Sequence, residues 1–305
     1  MLMTEVVVAV DVGGTVIKSA LVDRAGQFLK RDRRPTGAAQ GTEYVLGAIL
    51  AAIATLREAA GEHEVVAVGV GVTGVIDEEA GIAVHSENVG WENAPLKSIL
   101  ERETGLPIGF GHDVRNGALA EAEYGVGRGY DDFIFVAIGT GVSAGVVIGG
   151  EVISGRGYSG EIGHVDAGLD EPCACGGTGC VEAVASAAAV ARRYSELTGT
   201  DVDGAKEVAE QVRAGNPAAI RVWREATEAL SRALAWSAGV VAPQAIVIGG
   251  GMAAAGDLLL TPLRERTAAH LNILPCPVIR QAELGDEAGC LGTAILAWRA
   301  AEGVS

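Results

Sequence analysis

Apolar runs rich in β-branched residues alternate along the chain with longer amphipathic segments rich in alanine and leucine. The short runs end in glycine or polar residues and are typical of buried strands, whereas the longer segments repeat apolar residues at helical spacing. Strands are predicted at 6–10, 19–23, 65–72, 107–111, 133–138, 145–148 and 245–248. Helices are predicted at 43–60, 94–104, 114–124, 181–198, 205–214, 217–241, 258–270 and 289–301. The alternation predicts an α/β fold.

The sequence also contains an internal repeat. VVVAVDVGGTVIKSALVDRAGQ resembles FIFVAIGTGVSAGVVIGGEV at an offset of 126 residues, and each segment reads as a strand, a Gly/Thr turn, a second strand and a second turn. The turn Gly13-Gly14-Thr15 then corresponds to Gly139-Thr140-Gly141. We expect two equivalent lobes that present these turns to one cleft.

The length of the chain favours two domains, because a single hydrophobic core stops growing at about 250–300 residues and this chain has 305. We place a first α/β lobe at 1–115 and a second at 116–288. The C-terminal helix, at about 289–303, is expected to pack back on the first lobe.

Charge and hydropathy exclude several classes of function. The formal net charge is −16, and a surface this acidic repels nucleic acid. No apolar run approaches the ~18 residues of a membrane span, and the N-terminal sequence MLMTEVVVAVDVGG lacks the basic region and cleavage site of a secretory signal. We therefore expect a cytoplasmic protein that acts on small molecules, with neither nucleic acid nor membrane as a partner.

The two repeated turns have the chemistry of a phosphate clamp. Glycine lets backbone amides approach a phosphate because no Cβ stands in the way, and Thr15 and Lys18 would add side-chain donors. Asp11, at the end of a predicted strand, is a candidate ligand of Mg²⁺, directly or through water. A plain β-hairpin turn is the alternative for Gly13-Gly14-Thr15, but the matched turn Gly139-Thr140-Gly141 favours the clamp.

A third glycine-rich segment follows the last predicted strand. AIVIGGGMAAAGDLL reads as a strand, then Gly249-Gly250-Gly251, then a helix. Three glycines at the start of a helix leave space for a flat ring or a phosphate. Close packing of the helix on the strand is the alternative, and the segment matches neither the Walker P-loop nor the GxGxxG fingerprint.

Asp113 lies where the apolar strand pattern PIGFGH ends and the amphipathic run VRNGALAEAEYG begins. A carboxylate at the end of a strand that faces a cleft is well placed to accept a proton from a hydroxyl group. The alternative is an N-cap for the following helix, a position that aspartate favours. Spacing alone favours the cap.

Three cysteines and a histidine stand close together in HVDAGLDEPCACGGTGCVE. Three thiolates and the imidazole of His164 would complete a closed tetrahedral Zn²⁺ shell, which leaves no position for water or substrate. Such a zinc is structural, which disfavours a zinc-dependent hydrolase. A disulfide is the alternative, but the C-x-C pair is too close for easy bridging and a third thiol would remain. The proposed thiolate ligands are Cys173, Cys175 and Cys180. Two further cysteines, Cys276 and Cys290, are expected to be ordinary buried thiols.

Together these motifs resemble those of the ROK sugar kinases, within the hexokinase and actin-like ATPase superfamily. The resemblance runs from Asp11 to the AGCLGTAILA segment, and its most specific element is GEIGH…CACGGTGCVE at 160–182. It implies a two-lobed, ribonuclease H-like fold with a structural zinc loop. It also implies ATP-dependent phosphorylation of a hexose 6-hydroxyl, with glucose as the expected sugar, a role in glycolysis, and a homodimer or homotetramer.

The resemblance assigns roles residue by residue. Asp113 would be the general base that takes the proton of the sugar 6-hydroxyl. His164 would bridge the sugar and the zinc ion. The sugar would be bound by Asn88, His112, Glu161, His164 and Glu182. The ATP phosphates, with Mg²⁺, would be held by Asp11, Gly13, Gly14, Thr15, Lys18, Gly139, Thr140 and Gly141, and the adenosine by Gly249, Gly250 and Gly251.

The chain departs from the family pattern at two places. His112 stands where an asparagine that contacts sugar is common, so the choice of sugar is less firmly implied than the kinase chemistry. Ser143 stands where glycine is commoner. This difference is expected to alter the fit to ATP or to allow another phosphoryl donor. N-acetylmannosamine or another hexose is the alternative substrate. A non-catalytic sugar-binding regulator is the alternative function, and the presence of Asp113, Lys18 and both turns argues against it.

Overall fold

The computed structural model describes residues 4–303. Its strands are β1 (Glu5–Val12), β2 (Val16–Val22), β3 (Phe28–Pro35), β4 (Glu64–Val72), β5 (Val75–Asp77), β6 (Ile82–Ser86), β7 (Trp91–Ala94), β8 (Ile108–His112), β9 (Phe133–Ile138), β10 (Val142–Ile148), β11 (Glu151–Ile153), β12 (Ala245–Gly249) and β13 (Val278–Gln281). Its helices are α1 (Thr42–Ala59), α2 (Leu96–Thr104), α3 (Asp113–Glu123), α4 (Val181–Ala185), α5 (Ala187–Thr198), α6 (Ala205–Arg213), α7 (Pro217–Val241), α8 (Asp257–His270) and α9 (Ala288–Ala301). The predicted α/β class is confirmed.

Two of the predicted helices differ from the observed ones by more than one residue at an end. The helix predicted at 94–104 begins at Leu96, because residues 91–94 form β7 and Pro95 precedes the helix. The helix predicted at 181–198 is divided at Ser186, whose backbone is extended and whose hydroxyl accepts a hydrogen bond from the N–H of Ala189. Ser186 therefore caps a second helix within a hydrophobic pattern that predicts one continuous helix.

Several strands were not predicted, and β3 illustrates the reason. Its sequence, FLKRDRRP, is mostly charged, yet it pairs antiparallel with β2 at the edge of a sheet. An edge strand leaves one side open to water and tolerates charged side chains, so the neighbouring strand decides its conformation. The short strands β5, β6 and β7 form a separate small sheet.

The described residues divide into two compact units, of which unit 1 comprises residues 4–120, 154–159 and 287–303. Its main sheet has the order β3-β2-β1-β4-β8, with β1 antiparallel to β2 and parallel to β4. One face packs apolar side chains against α1 and α2. The other face packs against α9.

Unit 2 comprises residues 121–153 and 160–286. Its sheet has the order β11-β10-β9-β12-β13, with β9 antiparallel to β10 and parallel to β12. The apolar side chains of this sheet pack against helices α4 to α8. The predicted division of the chain into 1–115 and 116–288 stays a prediction about domains.

The sheets of the two units are equivalent strand by strand. Each begins with an antiparallel hairpin and adds two parallel strands on the same side. At an offset of 126 residues, β2 (Val16–Val22) coincides with β10 (Val142–Ile148). The internal repeat predicted from the sequence is confirmed.

In the part of the chain between residues 4 and 303, no helix is both long enough and apolar enough to cross a membrane.

Candidate functional site

The first glycine turn closes the hairpin of β1 and β2. The N–H of Gly13 donates to the carbonyl of Val16 at 3.1 Å. Thr36, which is buried, donates from its N–H to Thr15 O at 2.9 Å and from its hydroxyl to Gly13 O at 2.6 Å. The carbonyls of Gly13 and Thr15 are thus bound to protein donors, which stabilises the shape of the turn before any ligand binds.

Asn88 lies against this turn. A Cβ added to Gly14 would stand 3.1 Å from the Cβ of Asn88, which is closer than most real contacts of this kind. The close approach explains why glycine suits this position. It also brings a residue predicted to bind sugar next to a turn predicted to bind phosphate, within unit 1.

Asp11 and Lys18 are direct cross-strand neighbours on β1 and β2. The half-buried carboxylate of Asp11 packs against Gly289 in the first turn of α9, where a Cβ would overlap its oxygens. Burial and the charge of Asp11 raise the pKa of the neighbouring Cys290 thiol well above its ordinary range. Carboxylate oxygens are the ligands that Mg²⁺ prefers, so Asp11 fits the predicted role of holding this ion.

The second glycine turn joins β9 and β10 and is tied to a carboxylate. Oε2 of Glu182 accepts a hydrogen bond from the N–H of Val142 at 2.9 Å. A Cβ on Gly141 would lie 2.5 Å from the same oxygen, so only glycine leaves room for it. The carbonyl of Gly139 accepts from the N–H of Ala187 at 2.8 Å. A residue predicted to bind sugar is therefore fixed to a turn predicted to bind phosphate in unit 2.

Gly160 connects β10 with the sugar-binding sequence predicted at 160–164. Its carbonyl accepts from the N–H of Ala144 at 2.8 Å and from the hydroxyl of Ser143 at 3.5 Å. Its φ of +92° and its contact with Ala144 exclude a Cβ. Ser143, one of the departures from the family pattern, thus has a local partner in the protein.

The third glycine segment follows β12. A Cβ on Gly249 would lie 2.6 Å from the ring of Phe135, and Gly250, with φ +76°, leaves no room beside the backbone of Ile138. Both glycines therefore serve the close packing of β12 against β9. Gly251 faces open space and remains available to a ligand.

Asp113 is the first residue of α3, directly after β8. Its side chain is 24% exposed, and Oδ1 accepts a hydrogen bond from the N–H of Val114 at 2.8 Å. This bond holds the carboxylate at the helix start and leaves part of the group accessible to a substrate. It comes from the next residue rather than from the second or third residue of the helix turn, so it is not the N-cap bond that the alternative interpretation predicts.

His112 is buried beside the carboxylate of Asp113. Burial, and secondly the charge of Arg115, lower the pKa of His112 to about 3, so its imidazole is neutral at physiological pH. Nδ1 lies 3.2 Å from the backbone nitrogen of Val114 and 3.3 Å from Oδ1 of Asp113, so it can accept from the first or donate to the second. Because the imidazole is neutral, its contact with Asp113 is not an ion pair.

The predicted zinc ligands converge in unit 2. The ligand atoms of His164, Cys173, Cys175 and Cys180 all lie within 4.8 Å of one another. The Sγ atoms of Cys175 and Cys180 are 3.6 Å apart, and Nδ1 of His164 is 3.9 Å from Sγ of Cys173. Ligands at ~2.3 Å from a tetrahedral zinc are ~3.8 Å apart. The side chains therefore fit a zinc ion, and all five cysteines, which lie within the described residues, have free thiols.

Backbone hydrogen bonds shape the loop around these ligands. The N–H of Cys173 donates to Gly177 O at 2.9 Å, and the N–H of Gly176 donates to Cys173 O at 3.0 Å, which forms a tight knuckle. A backbone hydrogen bond from Gly177 lowers the pKa of Cys175 to about 7, whereas burial raises the pKa of Cys180 to about 12. Bound zinc would favour the thiolate at both positions.

The two ring nitrogens of His164 face different neighbours, Cys173 and Glu161. Its Nδ1 faces Cys173, while its Nε2 lies 3.9 Å from Oε2 of Glu161. The side chains of His164 and Glu161 are 38% and 29% exposed. One ring nitrogen is thus directed to the cysteine cluster, and the other lies beside a partly exposed carboxylate.

The prediction for the remaining cysteines is right for one residue and wrong for the other. Cys290 is buried in α9, as predicted. Cys276 is exposed. It precedes β13, which begins only at Val278, because Pro277 has no N–H to contribute to a sheet.

Comparison with known proteins identifies the family. The model of the ROK family matches residues 7–300. The chain is 35% identical to the glucokinase of Halalkalibacterium halodurans, covering 93% of this chain and 92% of that protein. It is 34% identical to the N-acetylmannosamine kinase of Escherichia fergusonii, covering 95% of this chain and 97% of that protein.

A solved structure agrees in fold. The crystal structure of a ROK family glucokinase from Streptomyces griseus, in complex with glucose and AMPPNP, has a TM-score of 0.85 and 33% identity, and the match covers 96% of this chain and 99% of that one. The chain belongs to the ROK family. The resemblance inferred from the sequence motifs is confirmed.

Proposed function

We propose that this protein is an ATP-dependent hexose kinase, and specifically a glucokinase. Similarity to glucokinases over more than nine-tenths of the chain supports the proposal. The observation that carries it is the placement of Asp113, a partly exposed carboxylate at the carboxyl end of β8. It lies in the same unit as the phosphate turn Gly13-Gly14-Thr15 and Asn88.

In the proposed reaction Asp113 acts on the sugar 6-hydroxyl. The hydroxyl oxygen forms a bond to the γ-phosphorus of ATP while the bond from that phosphorus to the β–γ bridging oxygen breaks, and Asp113 takes the hydroxyl proton. The products are ADP and the sugar 6-phosphate. Because phosphoryl transfer depends on positioning and charge neutralisation, one base and two phosphate-binding turns are sufficient protein machinery.

The nucleotide is assigned to the glycine turns. Gly13-Gly14-Thr15 and Gly139-Thr140-Gly141 would present backbone N–H groups to the phosphates, and Lys18 would add a positive charge. Bound Mg²⁺ supplies neutralisation of the phosphate oxygens, and Asp11 would hold it directly or through water. Gly251, which faces open space, is the member of the third glycine segment best suited to lie beside the adenosine.

The sugar is assigned to polar side chains that the family resemblance indicates. Family resemblance supports Asn88 and His112 from unit 1, and Glu161, His164 and Glu182 from unit 2. A site built to pair hydroxyl groups discriminates against analogues that leave its polar groups unpaired.

We further propose that the cluster of His164 and three cysteines holds a structural zinc ion. The separation of the ligand atoms supports a tetrahedral site. Zinc would stiffen a loop that has few apolar contacts of its own, and it would orient His164 so that Nε2 faces the sugar.

A second candidate substrate is N-acetylmannosamine. The 34% identity to an N-acetylmannosamine kinase over nearly the whole chain supports it, and His112 departs from the family pattern next to the base. A coupled assay of ADP release with glucose, mannose and N-acetylated hexosamines tests both candidates. Release with glucose above all other sugars supports the glucokinase, and release with the N-acetylated sugar alone overturns it.

A homodimer or homotetramer in the cytoplasm remains part of the proposal. Exposed apolar side chains on α7 and in the loop after α8 support self-association, because large contiguous apolar patches mark interfaces. Trp236 is 75% exposed, Val240 84% and Ile273 95%. Leu274, which follows α8 and is 38% exposed, lies close to Gly239 of α7. We call this set the α7 patch.

A further inference from the structure

Arg115 is a buried cation in the first turn of α3, two residues after Asp113. Its side chain is 2% exposed. Its Nε donates to Oε1 of Glu78 at 3.0 Å, and its Nη1 donates to the carbonyl oxygens of Gly157 and Ser159, each at 3.4 Å. Its Nη2 is buried and has no hydrogen-bond partner among residues 4–303.

Glu78 binds the chain on both sides of Asp113. The same oxygen that accepts from Arg115 also accepts from the backbone N–H of His112 at 3.3 Å. The residue before the proposed base and the second residue after it are therefore held by one carboxylate oxygen.

The segment Ser154–Ser159, part of unit 1, completes this arrangement. Gly157 has a φ of +88°, and a Cβ there would overlap the carbonyl oxygen of Ile76 in β5. The segment therefore lies against the strand that precedes Glu78, while its carbonyls accept from Arg115. Three separate stretches of sequence meet around one guanidinium group.

Stability alone does not explain the ion pair between Glu78 and Arg115. Arg115 is buried and Glu78 is 28% exposed, and the desolvation of a buried charge offsets its attraction to its partner, so such a pair adds little to stability. The unpaired Nη2 adds the cost of a buried donor without an acceptor. The pair does, however, fix the geometry of residues 112–115, and the charge of Arg115 helps to keep His112 neutral.

We propose that Glu78 and Arg115 are positioning residues for Asp113. They hold the backbone on both sides of Asp113, so that its carboxylate and the imidazole of His112 keep one orientation towards the substrate. The inference rests on the proposed function, in which Asp113 is the general base.

The test removes both charges at once. The double variant Glu78→Met/Arg115→Met leaves no unpaired buried charge, and we expect its Tm to stay close to that of the unmodified protein. Its kcat with glucose should nevertheless fall roughly 10- to 100-fold, since small misplacements of reacting groups are costly, while the KM for ATP changes by less than about twofold. Arg115→Lys keeps the charge and should recover part of the kcat lost in Arg115→Met.

Arg102→Met is the matched control, because Arg102 lies in the same unit and its side chain is 69% exposed. It should leave kcat unchanged. A double variant with both Tm and kcat at the level of the unmodified protein overturns the proposal. A kcat that falls only in proportion to the folded fraction, in every variant, overturns it as well.

Hydrogen exchange provides a readout that does not depend on activity. The N–H of His112 should exchange faster in the double variant than in the unmodified protein and in Arg102→Met, because its acceptor on Glu78 is gone. Unchanged exchange would overturn the positioning role. If the unmodified protein phosphorylates no hexose with ATP, the proposed function fails. The exchange measurement still decides whether Glu78 and Arg115 hold the backbone of residues 112–115.

Discussion

The carboxylate of Glu182 accepts a hydrogen bond from the backbone N–H of Val142 at 2.9 Å. Glu182 lies two residues after Cys180, a proposed zinc ligand, and Val142 follows the second glycine turn. The cysteine loop and the glycine turn of unit 2 are therefore connected through one side chain. A disturbance of the loop is expected to reach the turn as well as the residues proposed to bind sugar.

The zinc proposal predicts about one tightly held zinc ion per chain, measured by elemental analysis of the purified protein. Cys175→Ala should lose the ion and raise the KM for sugar roughly 10- to 100-fold, because His164 loses the ligand that orients it. Cys276→Ala, at an exposed thiol outside the cluster, is the control and should retain the ion. A metal-free native protein, or a disulfide among the three loop cysteines, would contradict the proposal.

The general-base proposal predicts that Asp113→Asn lowers kcat by at least ~10², while the fold and sugar binding persist. The amide keeps the size and the hydrogen-bonding oxygen of the carboxylate but cannot take a proton. Asp257→Asn is a matched control, since Asp257 also lies in the first turn of a helix and its side chain is 87% exposed. Near-normal turnover of Asp113→Asn would show that Asp113 is not the general base.

The pKa of His112 predicts a pH dependence of stability. Because burial lowers this pKa to about 3 in the folded protein, the unfolded chain binds a proton that the folded protein does not bind between about pH 6.5 and pH 3. The contribution of His112 to the free energy of unfolding should therefore fall as pH falls through this window, by up to about 1.4 kcal/mol per pH unit.

Urea unfolding at pH 7, 6 and 5 measures this effect as the difference between the unmodified protein and His112→Asn. As the pH falls from 7 to 5, the free energy of unfolding of the unmodified protein should decrease relative to that of His112→Asn. His85→Asn, which removes a more exposed imidazole, is the control. A difference that stays constant with pH would show that His112 titrates alike in both states.

The substrate proposal predicts formation of glucose 6-phosphate from glucose and ATP. The two nitrogens of the His112 imidazole point apart, whereas the amide of an asparagine at this position donates and accepts from one end. We therefore expect His112→Asn to gain activity on glucose relative to other hexoses, measured as the ratio of kcat/KM values. No glucose 6-phosphate, together with turnover of an N-acetylated hexosamine, would keep the kinase and change its substrate.

The α7 patch predicts self-association. Val240→Glu places a charge in the patch and should lower the mass measured by light scattering after gel filtration, because burying an unpaired charge is unfavourable. Leu197→Glu, at an apolar position on α5 that is 47% exposed and lies outside the patch, should leave the mass unchanged. A monomeric unmodified protein would refute the oligomer.

Local sequence determined much of the fold. Strands such as β9 and helices such as α7 are predicted with their observed bounds, because their apolar periodicity and, for α7, the Asn216 cap and Pro217 are local signals. The cluster of His164 with three cysteines was predictable for the same reason, since the three cysteines lie within eight residues of one another. The repeat at an offset of 126 residues likewise predicted the shared hairpins of the two sheets.

Other features were decided by the tertiary structure. The charged strand β3 exists because β2 offers it an edge, and the exposure of Cys276 depends on where β13 begins. Nothing in the local sequence relates Glu78 to Arg115, which are far apart along the chain. Only the folded arrangement of β5, β8 and the segment 154–159 buries this guanidinium beside the proposed base. Local periodicity reports which face of an element is apolar, whereas the partner of a buried polar group depends on long-range packing that no local pattern contains.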